Sequence, residues 1–225
     1  MPEITPALLL NGFFWFVAFL FSTTCHEAAH ALAAKAGGDD TASSGGQVTL
    51  NPWPHIRREP IGMVLVPIVS YFLAGAMMGW ASAPYDPSWQ RRHPHRAGWM
   101  ALAGPAANFT LMLIAGLALR LGISSGFFHA GIAADGGAGL AWTIFQIFFT
   151  LNLLLGVFNL LPFPPLDGST GITLLMSERA ALGYLQWLEE SGFRMMGLII
   201  AILLFNRIFE PIYHFAQSLL FFGLR

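Results

Sequence analysis

The sequence predicts an all-α polytopic membrane protein with about four to six membrane segments, and three observations carry that expectation. Of its 225 residues, 55% are hydrophobic and only 10% charged, against roughly 25% charged in a soluble domain. A soluble chain of this size could not hide so much apolar surface in one core. The apolar residues fall into runs matching the ~20 residues that cross a bilayer. Lys and Arg gather in some of the intervening loops and are missing from others. A formal net charge of −1 gives no basic field for nucleic acid. The single cysteine, Cys25, excludes an internal disulfide and a Cys-rich metal cluster, and reads as a small packed thiol.

In chain order, Ala7 to Ala36 is the first span, longer than a crossing needs, so its end protrudes. It lacks a basic n-region and is expected to stay in the mature chain rather than be removed as a signal peptide. Gly37 to Pro60 is polar, and Gln47-Val48-Thr49-Leu50 alternates polar and apolar as a short strand does. Ile61 to Ala83 is apolar but interrupted by Pro67, Gly75 and Gly79. Pro84 to Arg96 is a basic loop holding His93 and His95, read as solvated. Ala97 to Leu121 and Gly139 to Leu161 are further spans. Pro162 to Gly168 is broken by prolines, and Ser169 to Ser191 reads as amphipathic and interfacial. Phe193 to Phe205 begins a last span, disturbed by Asn206, Arg207, Glu210 and Pro211. No repeat divides the chain, so residues 1–225 are read as one integral-membrane domain, with a core at 7–168 and C-terminal helices at 169–225.

Charge placement orients these segments. Lys35, Arg57 and Arg58 follow the first span, and Arg91, Arg92 and Arg96 precede the Ala97 span, whereas the loop 122–138 has no Lys or Arg. The N-terminus and the 122–138 loop are therefore expected outside a cell membrane, and the end of the first span inside. Ile61–Ala83 is basic on both flanks, which suits a re-entrant pair of half-helices; one ordinary crossing would need the charge rule to fail once.

Inside the first span stands His26-Glu27-Ala28-Ala29-His30. Histidines four apart share one helix face and both can bind one Zn²⁺, with the adjacent glutamate placed to take a proton from water at the metal. Ionisable residues at membrane depth are costly and read as functional. At ~1.5 Å per residue, the pair lies roughly 8–14 Å in from Lys35. Asp167, after the span at 139–161, arrives at the same cytoplasmic face. Two histidines, a carboxylate and water make an open catalytic zinc sphere. Asp167 as the cap of a helix starting near Ser169 is the alternative reading. Asn108 and Asn159 are candidate substrate-binding or oxyanion residues, or else merely bond neighbouring helices. One Zn²⁺ per chain is expected.

These residues, with Leu50-Asn51-Pro52 and His55, Gly79-Trp80-Ala81, Gly104-Pro105-Ala106-Ala107-Asn108 and Asn159 through Gly168, resemble the site-2 protease family of intramembrane zinc metalloproteases. The likeness is to its compact bacterial branch without regulatory domains. The resemblance implies His26, His30 and Asp167 as zinc ligands and Glu27 as general base. It implies a metalloendopeptidase cutting transmembrane protein substrates within or next to their membrane segments, in contact with the lipid bilayer. Ile56-Arg57-Arg58-Glu59-Pro60 departs from the shorter acidic Ile-Asp-Pro of that branch, leaving the role of His55 open. A catalytically silent zinc-containing membrane binder or transporter is the alternative, disfavoured by Glu27, which a structural site does not need.

Overall fold

In the computed structural model, which describes residues 5–128 and 137–223, the apolar runs are helices and no strand occurs among the described residues. Helix α1 (Pro6–Ala36) starts where the Thr5 hydroxyl accepts from Leu8 N at 3.2 Å with Pro6 at the first helical position, and stops at Gly37. Its N-terminal half turns Leu9, Leu10, Phe13 and Val17 outward. From Ala18 on it buries a different set: Phe19, Ser22, Thr24, His26, Glu27 and His30.

After the short α2 (Thr41–Ser44), the expected β element is absent. Gln47–Leu50 forms bends, because its groups are already engaged locally: Gln47 N donates to Ala42 O at 3.0 Å, and the Thr49 hydroxyl accepts from Asn51 N at 3.1 Å. Alternation needs a partner strand to become a ladder, and none is present. The Asn51 side chain then caps α3 (Pro52–Arg58).

A π-helical turn, Ile61–Leu65, leads into α4 (Val66–Ala74), which ends at Gly75 with φ 69°. The expected second half-helix does not form; residues 75–86 carry no regular structure. They run back along the helix they follow, Met78 N donating to Ser70 Oγ at 2.9 Å and Trp80 N to Gly62 O at 3.1 Å. A Cβ at Gly79 would stand 2.5 Å from Phe19 Cζ, so glycine is needed for that approach.

Helix α5 (Pro87–Arg92) precedes α6 (Pro94–Ser124), which packs on both α1 and α7 (Gly137–Asn159). Ala18 and Phe19 of α1 meet Ile147 and Leu151 of α7. On α6, Ala115 and Leu119 meet Phe149 and Leu153 of α7. In lipid such contacts hold by close packing, which small residues permit. Next come α8 (Asp167–Gly171), a 3₁₀ turn (Ile172–Leu175), the amphipathic α9 (Glu178–Glu190) and α10 (Arg194–Phe221). The span expected to falter after Phe205 instead continues as helix through Pro211 to Phe221, since backbone in lipid finds its partners only within the helix. Arg120 closes that end, donating to the carbonyls of Leu220 and Phe222 at 2.9 Å each. Among the described residues, four helices, Pro6–Ala36, Pro94–Ser124, Gly137–Asn159 and Met195–Phe221, are long and apolar enough to cross a membrane. The protein is a multi-pass membrane protein. Of the loop expected outside, at 122–138, residues 129–136 lie beyond the described residues.

Candidate metal centre

His26 and His30 lie one turn apart on the buried side of α1, each only 7% exposed, with their Nε2 atoms 2.9 Å apart. What each Nδ1 meets decides what each Nε2 can do. His30 Nδ1 faces the Met100 carbonyl at 2.7 Å, which only accepts, so Nδ1 carries a proton and donates.

The tautomer of His26 is set over a longer route. The Phe148 carbonyl accepts from Asn152 Nδ2 at 2.9 Å, which orients that amide and turns Asn152 Oδ1 toward Asn108. Asn108 Nδ2 donates to it at 2.9 Å, and Asn108 Oδ1 is thereby aimed at His26 Nδ1, 2.5 Å away. His26 Nδ1 must then donate. Asn152 Nδ2 also donates to Ser22 Oγ at 2.9 Å. Ser22, Asn108 and Asn152 are all fully buried. Through them, α1, α6 and α7 hold both histidines with Nε2 lone pairs turned inward, as partners behind metal-binding imidazoles do.

Asp167 is delivered to this point by a tight return of the chain. Leu161 and Leu166 pack against Ala201 of α10, and Gly168 touches the Leu160 and Leu161 backbone so closely that a Cβ there would overlap it. Leu166, not Asp167, occupies the N-cap of α8, and no side chain caps that end. The Asp167 carboxylate instead faces the histidines, Oδ2 3.0 Å from His26 Nε2 and Oδ1 3.3 Å from His30 Nε2.

These donors fit a bound zinc ion. Three separations of 2.9, 3.0 and 3.3 Å approach the about 3.3 Å expected between ligands at the corners of a tetrahedron with 2.0–2.1 Å bonds. Two lone-pair nitrogens and a carboxylate at such range require positive charge between them. Asp167 Oδ2 is buried with no hydrogen-bond donor in line. Room is left because α6 passes the pair with a glycine: a Cβ on Gly104 would overlap His30 Nε2 and stand 2.5 Å from His26 Nε2. Glu27, 5% exposed, offers a carboxylate oxygen within 4.8 Å of a ring nitrogen of each histidine.

His26, Glu27, His30 and Asp167 are thus brought together. Asn108 joins them through His26, its amide engaged by His26 Nδ1 and Asn152 Oδ1. Asn159 has no hydrogen bond to these residues in the described structure; its Nδ2 donates to Leu155 O of its own helix at 3.0 Å. His55 is buried and closes a local turn on Thr49 O at 3.1 Å. Sequence reading passed over Ser22, Asn152 and the role of Gly104. Ser22 had a signal, standing one turn before His26 on the same helix face, and Asn152 another, as an amide in the middle of an apolar span.

Known proteins resemble this chain over most of its length. It is 34% identical over 182 residues to the Bacillus subtilis (strain 168) protein named "Putative zinc metalloprotease YwhC", covering 76% of this chain and 77% of that one. It is 27% identical over 217 residues to "Putative zinc metalloprotease Rip2" of Mycolicibacterium smegmatis, covering 94% and 76%. The Rip2 of Mycobacterium tuberculosis (strain H37Rv) is 32% identical over 169 residues, 74% of this chain and 59% of that protein. No protein-family model and no solved structure matches.

Proposed function

The chain belongs to the site-2 protease type of zinc metalloprotease, and from that premise we propose that it hydrolyses peptide bonds within or next to the transmembrane segments of other membrane proteins. The observation that carries this reading is the convergence of His26, His30 and Asp167 beside Glu27 among helices long and apolar enough to span a bilayer. His26, His30 and Asp167 would hold one zinc ion. When bound, zinc supplies a Lewis acid that acidifies water and polarises a carbonyl. Glu27, buried beside the pair without being needed as a ligand, is the general base: it takes the proton of the attacking water and returns it to the leaving amine. Met100 and the Asn108–Asn152–Ser22 chain keep both imidazoles turned the right way throughout.

Residues 1–225 act as a single domain in a cell membrane, with the N-terminus outside and the centre near the cytoplasmic face. The substrate is locally extended where it is cut, because a helical peptide hides its carbonyls in i→i−4 bonds. Cleavage therefore falls near the cytoplasmic third of single-pass segments, at sites weakened by Gly, Asn or Pro. The test uses a purified single-pass segment in lipid with its natural Gly or Asn, and the same segment with Leu in that place. Wild type should cut the first faster, and Glu27→Gln protein should cut neither. Faster cutting of the Leu version would remove the unwinding requirement, and cutting of a soluble unfolded protein in preference to either would remove the intramembrane assignment.

A further inference from the structure

Helix α10 carries ionisable side chains halfway along a membrane span, on a face that no other part of the described chain covers. Arg207 sits twelve residues after Met195 and fourteen before Phe221 in this span, so about 18 Å and about 21 Å from its ends at ~1.5 Å per residue. Arg207, Glu210 and His214 are all exposed. Among the described residues, Arg207 and Glu210 enter no ion pair or hydrogen bond.

The opposite face of α10 is occupied. Leu198, Ala201, Phe205 and Ile208 pack around Leu161 and Leu166 in the segment leading to Asp167. The outward face continues the charged residues as a stripe: Ile199 at 54% and Leu203 at 72% exposure lead into Arg207, Glu210 and His214. Successive members are three or four residues apart, the spacing of a seam between two helices. Ionisable groups at membrane depth pair with one another or face a protein interior, so something covers this stripe.

We propose that it is covered by a second copy of this chain. The stripe holds one cation and one anion a single turn apart, so it is complementary to itself. Two α10 helices side by side, related by a twofold axis along the membrane normal, set Arg207 of each against Glu210 of the other at nearly one depth. One isologous contact then compensates four charges. His214, a turn further on, adds a polar contact on the same line. Bare lipid leaves both charges unpaired, and an unrelated helix would have to supply an acid and a base of its own at the same spacing. Polar side chains at seam positions also fix the register of such a pair.

The test leaves catalysis out and uses the full chain in membranes. On a Cys25→Ser background, cysteine is placed at Leu203, on the proposed seam, and separately at Ala201, on the inner face. Disulfide-linked dimer should form from Leu203→Cys and not from Ala201→Cys. Adding Arg207→Glu or Glu210→Arg alone should bring the Leu203→Cys cross-link down to background, and combining the two should restore it. Circular dichroism and a single sharp elution peak establish that each variant is folded. Absence of dimer from folded Leu203→Cys protein overturns the proposal. So does undiminished cross-linking in either single swap, or failure of the folded double swap to recover it. A photo-reactive residue at Leu203 that captures a different polypeptide, and no second copy, overturns it equally.

Discussion

Two polar regions lie within the spans of this protein, and they treat their polar atoms in opposite ways. Around His26, the amides of Asn108 and Asn152, the Ser22 hydroxyl and the carbonyls of Phe148 and Met100 answer one another inside the chain. On α10, Arg207 and Glu210 are answered by nothing in the described chain and face outward. A membrane offers no water to complete a hydrogen bond. Where a polar cluster is closed within the fold, it can orient chemistry; where it is left open, it defines a surface. The comparison teaches that what distinguishes a site from an interface here is whether the polar partners are internal.

The largest effects should come from breaking the closed region. Glu27→Gln is expected to lower peptide hydrolysis by about 10²–10⁴-fold, the scale of general-base catalysis, while the purified protein keeps its zinc. His26→Ala and Asp167→Ala should each lose the metal, by elemental analysis; full zinc occupancy in Asp167→Ala protein would remove that residue as a ligand. Gly104→Ala deletes no donor, yet its methyl group would enter the space between the two Nε2 atoms. Zinc loss comparable to that of His26→Ala is expected, and an unchanged zinc affinity would show that the centre has room to spare.

Smaller effects sharpen the role of the amide chain. Asn152→Leu removes the group that orients Asn108, some way from the metal donors themselves. Zinc affinity should fall by roughly 10–100-fold, the usual cost of losing a partner behind a ligand. The ¹⁵N spectrum of His26 should change from a single Nδ1–H tautomer to a mixture, which simple loosening of the helices would not produce. Asn108→Asp keeps an acceptor on His26 Nδ1 and should retain zinc, whereas Asn108→Leu should not.

At the small end, Leu151 and Ile199 set the packed interior against the open stripe. Leu151 is 2% exposed between α1 and α7, and Ile199 is 54% exposed on α10. Leu151→Ala should cost about 2–5 kcal/mol. Ile199→Ala should change the stability of a single copy by no more than about 0.5 kcal/mol, measured by unfolding in mixed detergent. Equal losses would mean that α10 is buried in a single copy and erase the contrast.

From the sequence alone came the helical spans, the pairing of His26 and His30 on one helix face with Glu27 beside them, and Asp167 as the candidate third member of that group. These are properties of spacing and of apolar length: a 3.6-residue period puts His26 and His30 on one face in any helix, and ~20 apolar residues span a bilayer wherever they occur. Only the tertiary structure decided the rest. Gln47–Leu50 has strand alternation but no partner strand among the described residues, and only the part of Ile61–Ala83 after Ala74 returns without regular structure, its backbone finding partners in Ser70 and Gly62. Asn108 proved to hold His26 from behind, and Asn152, forty-four residues further along the chain, proved to orient Asn108. Which atom a buried amide faces is settled by groups distant in sequence and adjacent in space, since a buried donor or acceptor must be satisfied by whatever packs against it. That choice depends on how three helices meet, and no local pattern records it.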